Sequence, residues 1–365
     1  MRIDPSLLAE WRLVPGTEVI PVDKDSILLR SFSGTLMISG EFVGLELVRA
    51  LDKAGLDAPL SALKDQISDR FSDEFESFVT LLGDKGLLLE RPRDAPIGHD
   101  EAYWQSQGRD AATTSAALAA ATVLVVGMGQ VGLSAAGALA RGGTGQLLLV
   151  DSEEEHAEAA TAACRRIGAK ARSVAGTVDG LANWEELVAE SDLVVVCSDD
   201  MSLAGYDRAN ESCNHAGKRW TSVRIDRTHG LIGPFVIPGQ TACFACYDLR
   251  SRANARHPSD HEALGRHRKS QHYRLPGSWP IAPEFGAILG NLVAMDVRRV
   301  LAGGLVSTAF GRVIDIDLHS LETEAHEILK LPRCPVCSRA RERPLTRIWD
   351  LSASKVGARA PSEAL

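Results

Sequence analysis

Hydrophobic and polar positions alternate with two different periods along the chain, and the changes of period mark its domains. In residues 1–92, three short apolar runs separated by turn residues predict three strands: TEVIPVD (17–23), SILLRS (26–31) and TLMIS (35–39). Apolar residues then recur every three or four positions and predict three helices, EFVGLELVRALDKAG, APLSALKDQISDRF and SDEFESFVTLLGDKG. The run LLLERP closes the region as a fourth strand. This is the element order of a winged-helix-like domain.

A polar, aperiodic stretch, residues 93–116, follows this domain and predicts a linker. Residues 117–345 then alternate between strand and helix patterns, and the strands, such as TVLVVG, GQLLLVD and SDLVVVC, are almost continuously apolar. Strands of that kind are buried on both faces, which is typical of a parallel sheet covered by helices. The sequence therefore predicts an α/β chain with a doubly wound, Rossmann-like second domain and a polar tail over residues 346–365.

Composition narrows the class of protein. Apolar residues make up 45% of the 365 residues and charged residues 24%, which is ordinary for a chain that folds around buried cores. The formal net charge of −8 argues against nucleic-acid binding, which favours a basic excess. No run of 18 apolar residues is present and the N-terminus is too polar for a signal peptide, so we expect a cytoplasmic protein without a membrane span.

The stretch VLVVGMGQVG places a glycine motif between a predicted strand and a predicted helix. Gly127, Gly129 and Gly132 form G-x-G-x-x-G, and Asp151 ends the next predicted strand 19 residues after Gly132. In nucleotide-binding folds such glycines permit a tight turn, the helix N-terminus faces phosphate and the acid accepts hydrogen bonds from ribose. The alternative is that these glycines serve only helix–strand packing and that no nucleotide binds.

Four of the seven cysteines fall in two C-x-x-C pairs, Cys243 with Cys246 and Cys334 with Cys337. In a reducing compartment such pairs indicate a metal site or redox chemistry before a disulfide. Together they offer four thiolates to a tetrahedral zinc ion, and such a site is structural because no coordination position stays open. The 87 residues between the pairs exceed the spacing of a zinc ribbon, so redox chemistry is the alternative. The other three cysteines are expected to be buried structural thiols: Cys164, Cys197 and Cys213.

The glycine motif, the cysteine pairs and the segment FGAILGNLVAMDVRRVLAG together resemble the ThiF-like family, relatives of ubiquitin-activating enzymes. More specifically, GLIGPFVIPGQTACFACYDLR and LPRCPVCSRA look like the ThiF-like partners of YcaO cyclodehydratases, which act in the biosynthesis of ribosomally made thiazole- and oxazole-modified peptides such as bacteriocins. In that group a winged-helix-like precursor-peptide recognition element precedes the ThiF-like part, and residues 1–92 are similar to it in element order. The resemblance implies structural zinc on the two cysteine pairs, a cyclodehydratase supplied as a separate chain, and a homodimer built on the Rossmann body.

The loop after Asp151 departs from the adenylating members of the family. The resemblance implies asparagine, arginine and then lysine at this place, because those members use cations to stabilise phosphate charge during adenylyl transfer. Here SEEEHAEAATAAC follows, with four glutamates and no arginine or lysine before Arg165. Asp199 and Asp200 match the place where adenylating relatives hold Mg²⁺. We therefore interpret Gly127, Gly129, Gly132, Asp151 and Asp200 as a vestigial nucleotide site, with ATP and Mg²⁺ as weak candidate cofactors.

Residues 1–92 are interpreted as the domain that captures a leader peptide. The peptide would add a strand to TLMIS and lodge apolar side chains against the third helix. Candidate contacts are Leu36, Met37 and Ile38 on the strand, with Phe75, Phe78, Val79 and Leu82 on the helix. For any one of these residues, a place in the core of a small domain is the competing explanation.

The segment from residue 250 to 274 stands out as basic, with seven Arg or Lys against two acidic residues and with four histidines. It predicts a solvated, mobile loop. The alternative is a docking loop that meets an acidic surface of the partner enzyme.

Three functions compete. The favoured one is a non-catalytic subunit that binds leader peptides and presents precursor peptides to a YcaO cyclodehydratase for azoline formation. The second is an active, ATP-dependent adenylating enzyme acting on a peptide, with Arg165, Arg166 or Lys170 replacing the missing cations. The third, a nicotinamide- or flavin-dependent oxidoreductase, rests on the glycine motif alone.

Overall fold

The computed structural model describes residues 8–31, 34–90, 100, 103–104, 107, 109–199, 203–270, 282–304 and 307–338. The chain divides into two compact units, Met1–Ala116 (the N-terminal unit) and Ala117–Leu365 (the C-terminal unit).

Short strands and helices fold the N-terminal unit. Its strands are β1 (Trp11–Leu13), β2 (Glu18–Asp23), β3 (Ser26–Ser31), β4 (Gly34–Ser39) and β5 (Leu88–Glu90). A π-helical turn (Val43–Leu47) runs into α1 (Val48–Ala54), α2 spans Leu60–Lys64, and a 3-10 turn (Asp69–Phe71) runs into α3 (Ser72–Asp84). The predicted strands and the first and third predicted helices are confirmed, whereas the second predicted helix is interrupted between α2 and the 3-10 turn. β1, which was not predicted, pairs antiparallel with β5.

An antiparallel sheet in the order β2-β3-β4 covers the core of this unit. Ile27 and Leu29 on β3 are fully buried, whereas Leu28 between them faces Ile20 and Met37 of the neighbouring strands on the opposite, partly exposed face. This alternation follows from the period of two in a strand. β4 lies at one edge of the sheet.

The C-terminal unit alternates strands and helices. Its helices are α4 (Ala111–Ala120, which begins before the division), α5 (Gln130–Arg141), α6 (Glu154–Arg166), α7 (Trp184–Glu190), α8 (Tyr206–Ala216), α9 (Phe244–Asn254), α10 (Pro258–Lys269) and α11 (Pro283–Leu301). Its strands are β6 (Thr122–Val126), β7 (Gln146–Asp151), β8 (Lys170–Ala175), β9 (Leu193–Ser198), β10 (Arg219–Asp226), β11 (His229–Ile232), β12 (Arg312–Asp317) and β13 (Thr323–Glu327).

Helix α4 corrects the prediction of an aperiodic stretch over residues 93–116, because its first residues, from Ala111 onward, lie inside that stretch. The sequence AATTSAALAA has no apolar stripe that a periodicity argument can detect, but its alanines favour a helix intrinsically.

The large sheet has the strand order β13-β12-β11-β10-β9-β6-β7-β8. The five strands from β10 to β8 are parallel, as predicted, while β11, β12 and β13 extend the sheet antiparallel. The antiparallel turn begins after β10, where Arg227 adopts a positive φ of 59° and returns the chain as a hairpin. The strand order reverses between β6 and β9, and at such a switch point a crevice opens at the carboxyl ends of the strands.

Helix α11 packs closely on α5 and accounts for the glycines in FGAILGNLVAMD. A Cβ on Gly286 would overlap with Gln130, and a Cβ on Gly290 would overlap with the Val131 carbonyl. Across the part of the chain that the structure describes, no helix is both long and apolar enough to cross a membrane.

Candidate functional site

The glycine motif forms the turn between β6 and α5. Gly127 has a positive φ of 84°, and a Cβ there would overlap with the Cys197 carbonyl of β9. A Cβ on Gly132 would overlap with the Gly127 carbonyl. At both positions a side chain would overlap with a backbone carbonyl. Packing between the helix and the strands is therefore enough to require both glycines.

Asp151 and Asp199 both accept hydrogen bonds from this turn. Asp151 accepts from the amides of Met128 (2.5 Å) and Glu153 (2.9 Å). Asp199 accepts from the first amides of α5, those of Gln130 and Val131, the latter at 2.9 Å. The helix end that would face a phosphate is thus paired with a carboxylate of the protein itself. Asp200 lies outside the described residues.

A cleft of about 490 Å³ opens at the carboxyl ends of β6, β7 and β9, and we call it the switch-point cleft. Three of its lining residues are acidic, Asp151, Glu153 and Asp179, and none of the lining residues that the structure describes is Arg or Lys. Arg224 lies at the same edge of the sheet, opposite Ser198, but its guanidinium donates to the Tyr247 hydroxyl (2.8 Å) and does not line the cleft. Electrostatics in this cleft oppose a triphosphate.

The cations considered as replacements lie on α6 and β8, at the ends of these elements that are distant from the switch-point cleft. Arg165 and Arg166 occupy the last turn of α6, roughly 16 Å along the helix from its start beside the cleft. Arg165 donates its Nε–H to the Ala171 carbonyl at 2.9 Å. Lys170 begins β8 opposite Gln146, whereas Asp151 pairs with Ala175 at the other end of that strand. The structure therefore contradicts the expectation that these three residues fill the gap after Asp151.

The two C-x-x-C pairs meet in one cluster. The Sγ atoms of Cys243 and Cys246 lie 4.0 Å apart, and each lies 3.5 Å from a thiol of the second pair, Cys334 and Cys337 respectively. All four atoms lie within 4.8 Å of one another. A disulfide requires about 2.05 Å, whereas four thiolates about 2.3 Å from a central zinc ion lie roughly 3.8 Å apart. The four cysteines can thus hold a metal such as zinc, and four thiolates would give it a purely structural role.

Polar groups around the cluster orient its thiols. Asn210 of α8, which is buried, donates to Cys243 Sγ (3.7 Å) and accepts from the Phe244 amide (3.1 Å). The Leu331 amide donates to Cys246 Sγ at 3.4 Å. Hydrogen bonds from Cys243 and Cys337, aided by this amide, lower the pKa of Cys246, whereas the hydrogen bond with Cys246 raises the pKa of Cys243.

The three remaining cysteines are buried free thiols, as predicted. Burial raises the pKa of Cys164, Cys197 and Cys213, so none is activated as a nucleophile.

A second cleft, of about 540 Å³, lies between the end of β4 and α3, and we call it the edge-strand cleft. Its apolar wall is formed by Ile38, Phe42, Phe71, Phe78 and Leu81.

The seven predicted peptide contacts are distributed unevenly around this cleft. Ile38 and Phe78 line it, Leu36 is half-buried and Met37 is exposed on the other face of β4. Phe75, Val79 and Leu82 belong to the core. Sequence reasoning selected the core face of α3 and missed Ser77 and Leu81, which lie four residues apart on the adjacent face. The helical repeat is the signal that identifies Ser77 and Leu81, since both positions lie beside the buried stripe on the helix surface.

The basic segment is helical, which corrects the expectation of a mobile loop. Residues 250–270 form the end of α9 and α10, and four of their cations, Arg252, Arg266, Arg268 and Lys269, are held in ion pairs. Arg268 pairs with Asp226 at 3.0 Å, and Lys269 lies 2.9 Å from Asp248 and 3.0 Å from Asp207. These cations are therefore committed within the unit, and the rest of the segment, residues 271–274, lies outside the described residues.

Comparison with known proteins places the chain in a family. A profile of the ThiF family matches residues 152–336, half of the chain. The chain belongs to the ThiF family. Its sequence is 25% identical over 241 residues to the molybdopterin-synthase adenylyltransferase of Escherichia coli K12, covering 60% of this chain and 88% of that protein.

Solved structures share the fold of this ThiF-family chain. E. coli MccB with AMPCPP and MccA superposes with a TM-score of 0.69 at 14% identity, and MccB with ATP with a TM-score of 0.68 at 14% identity. Both comparisons cover 90% of this chain and 99% of MccB. A heterocyclase in complex with substrate and cofactor gives a TM-score of 0.60 at 17% identity, covering 90% of this chain and 39% of the heterocyclase chain. At these identities the structures show the fold alone.

Proposed function

We propose that this chain is a leader-peptide-binding scaffold subunit that delivers ribosomal precursor peptides to a YcaO-type cyclodehydratase for thiazoline or oxazoline formation. In this proposal the N-terminal unit is a winged-helix-like recognition element and the ThiF domain is a non-catalytic body. The observation that carries the proposal is the switch-point cleft, where Asp151, Glu153 and Asp179 stand without a lining cation among the described residues.

The edge-strand cleft supplies the other half of the proposal. It combines an apolar wall with an edge strand, which are the two elements that β-augmentation requires. The similarity to MccB, whose structures include complexes with MccA, and to a heterocyclase with its substrate supports a role with peptides.

Zinc on the four cysteines and a homodimer complete the proposal. Leu133 on α5 and Ile288 and Met295 on α11 are exposed apolar side chains on the two helices that pack together. Such side chains on neighbouring helices support the Rossmann body as the dimer interface.

Two measurements test the proposal. Titration calorimetry with Mg·ATP is expected to give no detectable heat at millimolar nucleotide. A fluorescently labelled precursor peptide is expected to bind the full chain and to lose binding when residues 1–92 are deleted, provided that circular dichroism shows the remaining unit folded. Micromolar ATP binding, or unchanged peptide affinity after the deletion, would overturn it.

The second candidate is an active adenylating enzyme, and the sequence identity with an adenylyltransferase over 88% of its length favours it. Peptide-dependent exchange of pyrophosphate into ATP would support this candidate. Because none of the described residues that line the switch-point cleft is Arg or Lys, we expect no exchange.

A further inference from the structure

We infer that the edge-strand cleft selects a basic peptide, in which alternate apolar residues are flanked by lysine or arginine. This inference rests on the proposed capture of a leader peptide at the same cleft, and it adds the chemistry of the peptide.

The open edge of β4 determines the period of the ligand. β4 pairs with β3 from Gly34 to Ser39, and no other strand within the described residues pairs with its second edge. The free amides and carbonyls of that edge can bind an extended chain. Leu36 and Ile38 pack towards the core while Met37 points away, so every second residue of an added strand would face α3.

The wall that these alternate residues would meet is apolar. Ile38 lies on the strand side, and Phe78 and Leu81 lie on the helix side. Leu81 and Ser77 also line a groove along α3 that includes Thr80. Burial of apolar side chains against this wall would supply affinity but no choice between peptides of different charge.

The rim of this surface is acidic. Asp73 and Glu74 line the cleft, and Glu76 and Asp84 line the groove along α3, while none of the described lining residues is Arg or Lys. Asp73, Glu74 and Glu76 form no ion pair within the described residues. α3 as a whole contains four acidic residues and no basic one.

The remaining acid of the cleft is already neutralised. Glu41 pairs with Arg70 at 2.8 Å, and the Arg70 guanidinium also lies 4.7 Å from the centre of the Phe71 ring. The charge available to a ligand therefore comes from α3.

The helix dipole explains only part of this pattern. Asp73 and Glu74 in the first turn are favoured by the dipole, whereas Glu76 lies beyond that turn, where the effect of the dipole has faded. The dipole therefore does not account for all of the acidic residues that α3 presents along this surface, and the ligand that suits them is cationic.

Three labelled peptides test the inference on the full-length protein. The peptides share one extended core of alternating leucine and serine and differ in their flanks, which carry four lysines, four glutamines or four glutamates. Fluorescence anisotropy at low and high salt gives the affinities. We expect the lysine peptide to bind tightest and to weaken most with salt, because exposed charge pairs are screened.

A triple variant identifies the charges responsible. Asp73→Asn, Glu74→Gln and Glu76→Gln together are expected to weaken the lysine peptide about tenfold at low salt, a loss on the order of three exposed pairs, and to leave the glutamine peptide unchanged. The matched control carries Glu10→Gln, Asp52→Asn and Asp65→Asn, which remove the same charge from exposed positions outside the cleft. It should bind all three peptides like the unaltered protein.

Equal binding of the three peptides, an equal loss in the control, or no binding by any of them would overturn the inference. The labelled precursor peptide separates this result from the proposed function. If it binds and needs residues 1–92 while flanking charge has no effect, only the basic preference fails. If it does not bind, the proposed capture fails with it.

Discussion

The switch-point cleft and the edge-strand cleft are similar in size and both contain carboxylates, but their carboxylates have different environments. In the switch-point cleft, Asp151 accepts backbone amides of the glycine turn, and Asp199 beside it does the same. In the edge-strand cleft, Asp73 and Glu74 stand at the rim without an ion pair in the described structure. Asp151 and Asp199 are thus used within the glycine turn, whereas we propose that Asp73 and Glu74 meet a ligand. In the proposed function the ThiF domain keeps its glycine turn, while binding of the peptide takes place at the N-terminal unit.

Loss of the cysteine cluster should separate the two clefts most strongly, because it should destabilise the C-terminal unit and leave the edge-strand cleft intact. Cys246→Ser is expected to remove bound metal and to destabilise the C-terminal unit by on the order of 5 kcal/mol, because four thiolates share one ion. Cys243, Cys246 and Cys334 share a core cluster with Val196 and Tyr206 of the switch-point cleft, so that cleft should be lost as well. Metal analysis and urea unfolding check this, and peptide binding at the edge-strand cleft should persist.

Cys164→Ala is the control, since this buried cysteine lies outside the cluster and should cost only about 1 kcal/mol. A protein that purifies without metal, with both variants equally stable, would contradict the assignment.

Two adjacent leucines on α3 separate core from ligand surface. Leu82 is fully buried, so Leu82→Ala should lower the free energy of unfolding by about 3 kcal/mol. Leu81 lines the edge-strand cleft, so Leu81→Ala should cost less than about 1 kcal/mol in stability and weaken peptide binding by about tenfold. Urea unfolding and anisotropy measure the two quantities. Equal stability losses with unchanged peptide affinity would show that the cleft is only core.

Glycine substitutions test whether the glycine turn serves packing. Gly132→Ala should destabilise the C-terminal unit by about 2 kcal/mol, because the new Cβ overlaps with the Gly127 carbonyl. Gly137→Ala on the same helix meets only the flexible end of Arg141 at 3.4 Å and should stabilise by up to about 1 kcal/mol. Both changes should be independent of added ATP in thermal unfolding. If ATP raised the unfolding temperature of the unaltered protein but not that of Gly132→Ala, the glycine turn would have to be assigned to nucleotide binding.

The ion pair between His229 and Asp315 lies outside both clefts. It measures how much one ion pair contributes to stability when no ligand is involved. The Asp315 carboxylate, 2.8 Å from His229, raises the pKa of that histidine, with Asp317 and Asp226 acting in the same direction. The pair therefore stabilises the fold fully below the unfolded pKa of about 6.5, and this contribution is lost as the pH rises through the folded value. His229→Gln should cost a few tenths of a kcal/mol at pH 5.5 and nothing at pH 9. Equal urea midpoints of His229→Gln and the unaltered protein at pH 5.5 would show that the pair does not contribute to stability.

Local features of the chain were predictable because they depend only on residues that are close together in the sequence. The strand TLMIS, the helical stripe through Phe75 and Leu82, and the glycine turn after β6 each follow from a short period or a steric requirement, and the structure contains all three. The antiparallel strands β11 to β13 were not predicted, since short runs such as HGLI and TEAHE carry too little apolar signal.

The sequence by itself determined the family resemblance, the parallel core of the sheet and the identity of the four clustered thiols, because these depend on residue type and spacing. Only the tertiary structure decided that cysteines 91 positions apart meet within hydrogen-bonding distance, and that Asp199 pairs with amides almost 70 residues earlier. It also decided that Arg165 and Lys170 lie at the ends of α6 and β8 that are distant from Asp151. Strand order and register set these distances. They arise when the strands pair and pack, and no local stretch of sequence contains them.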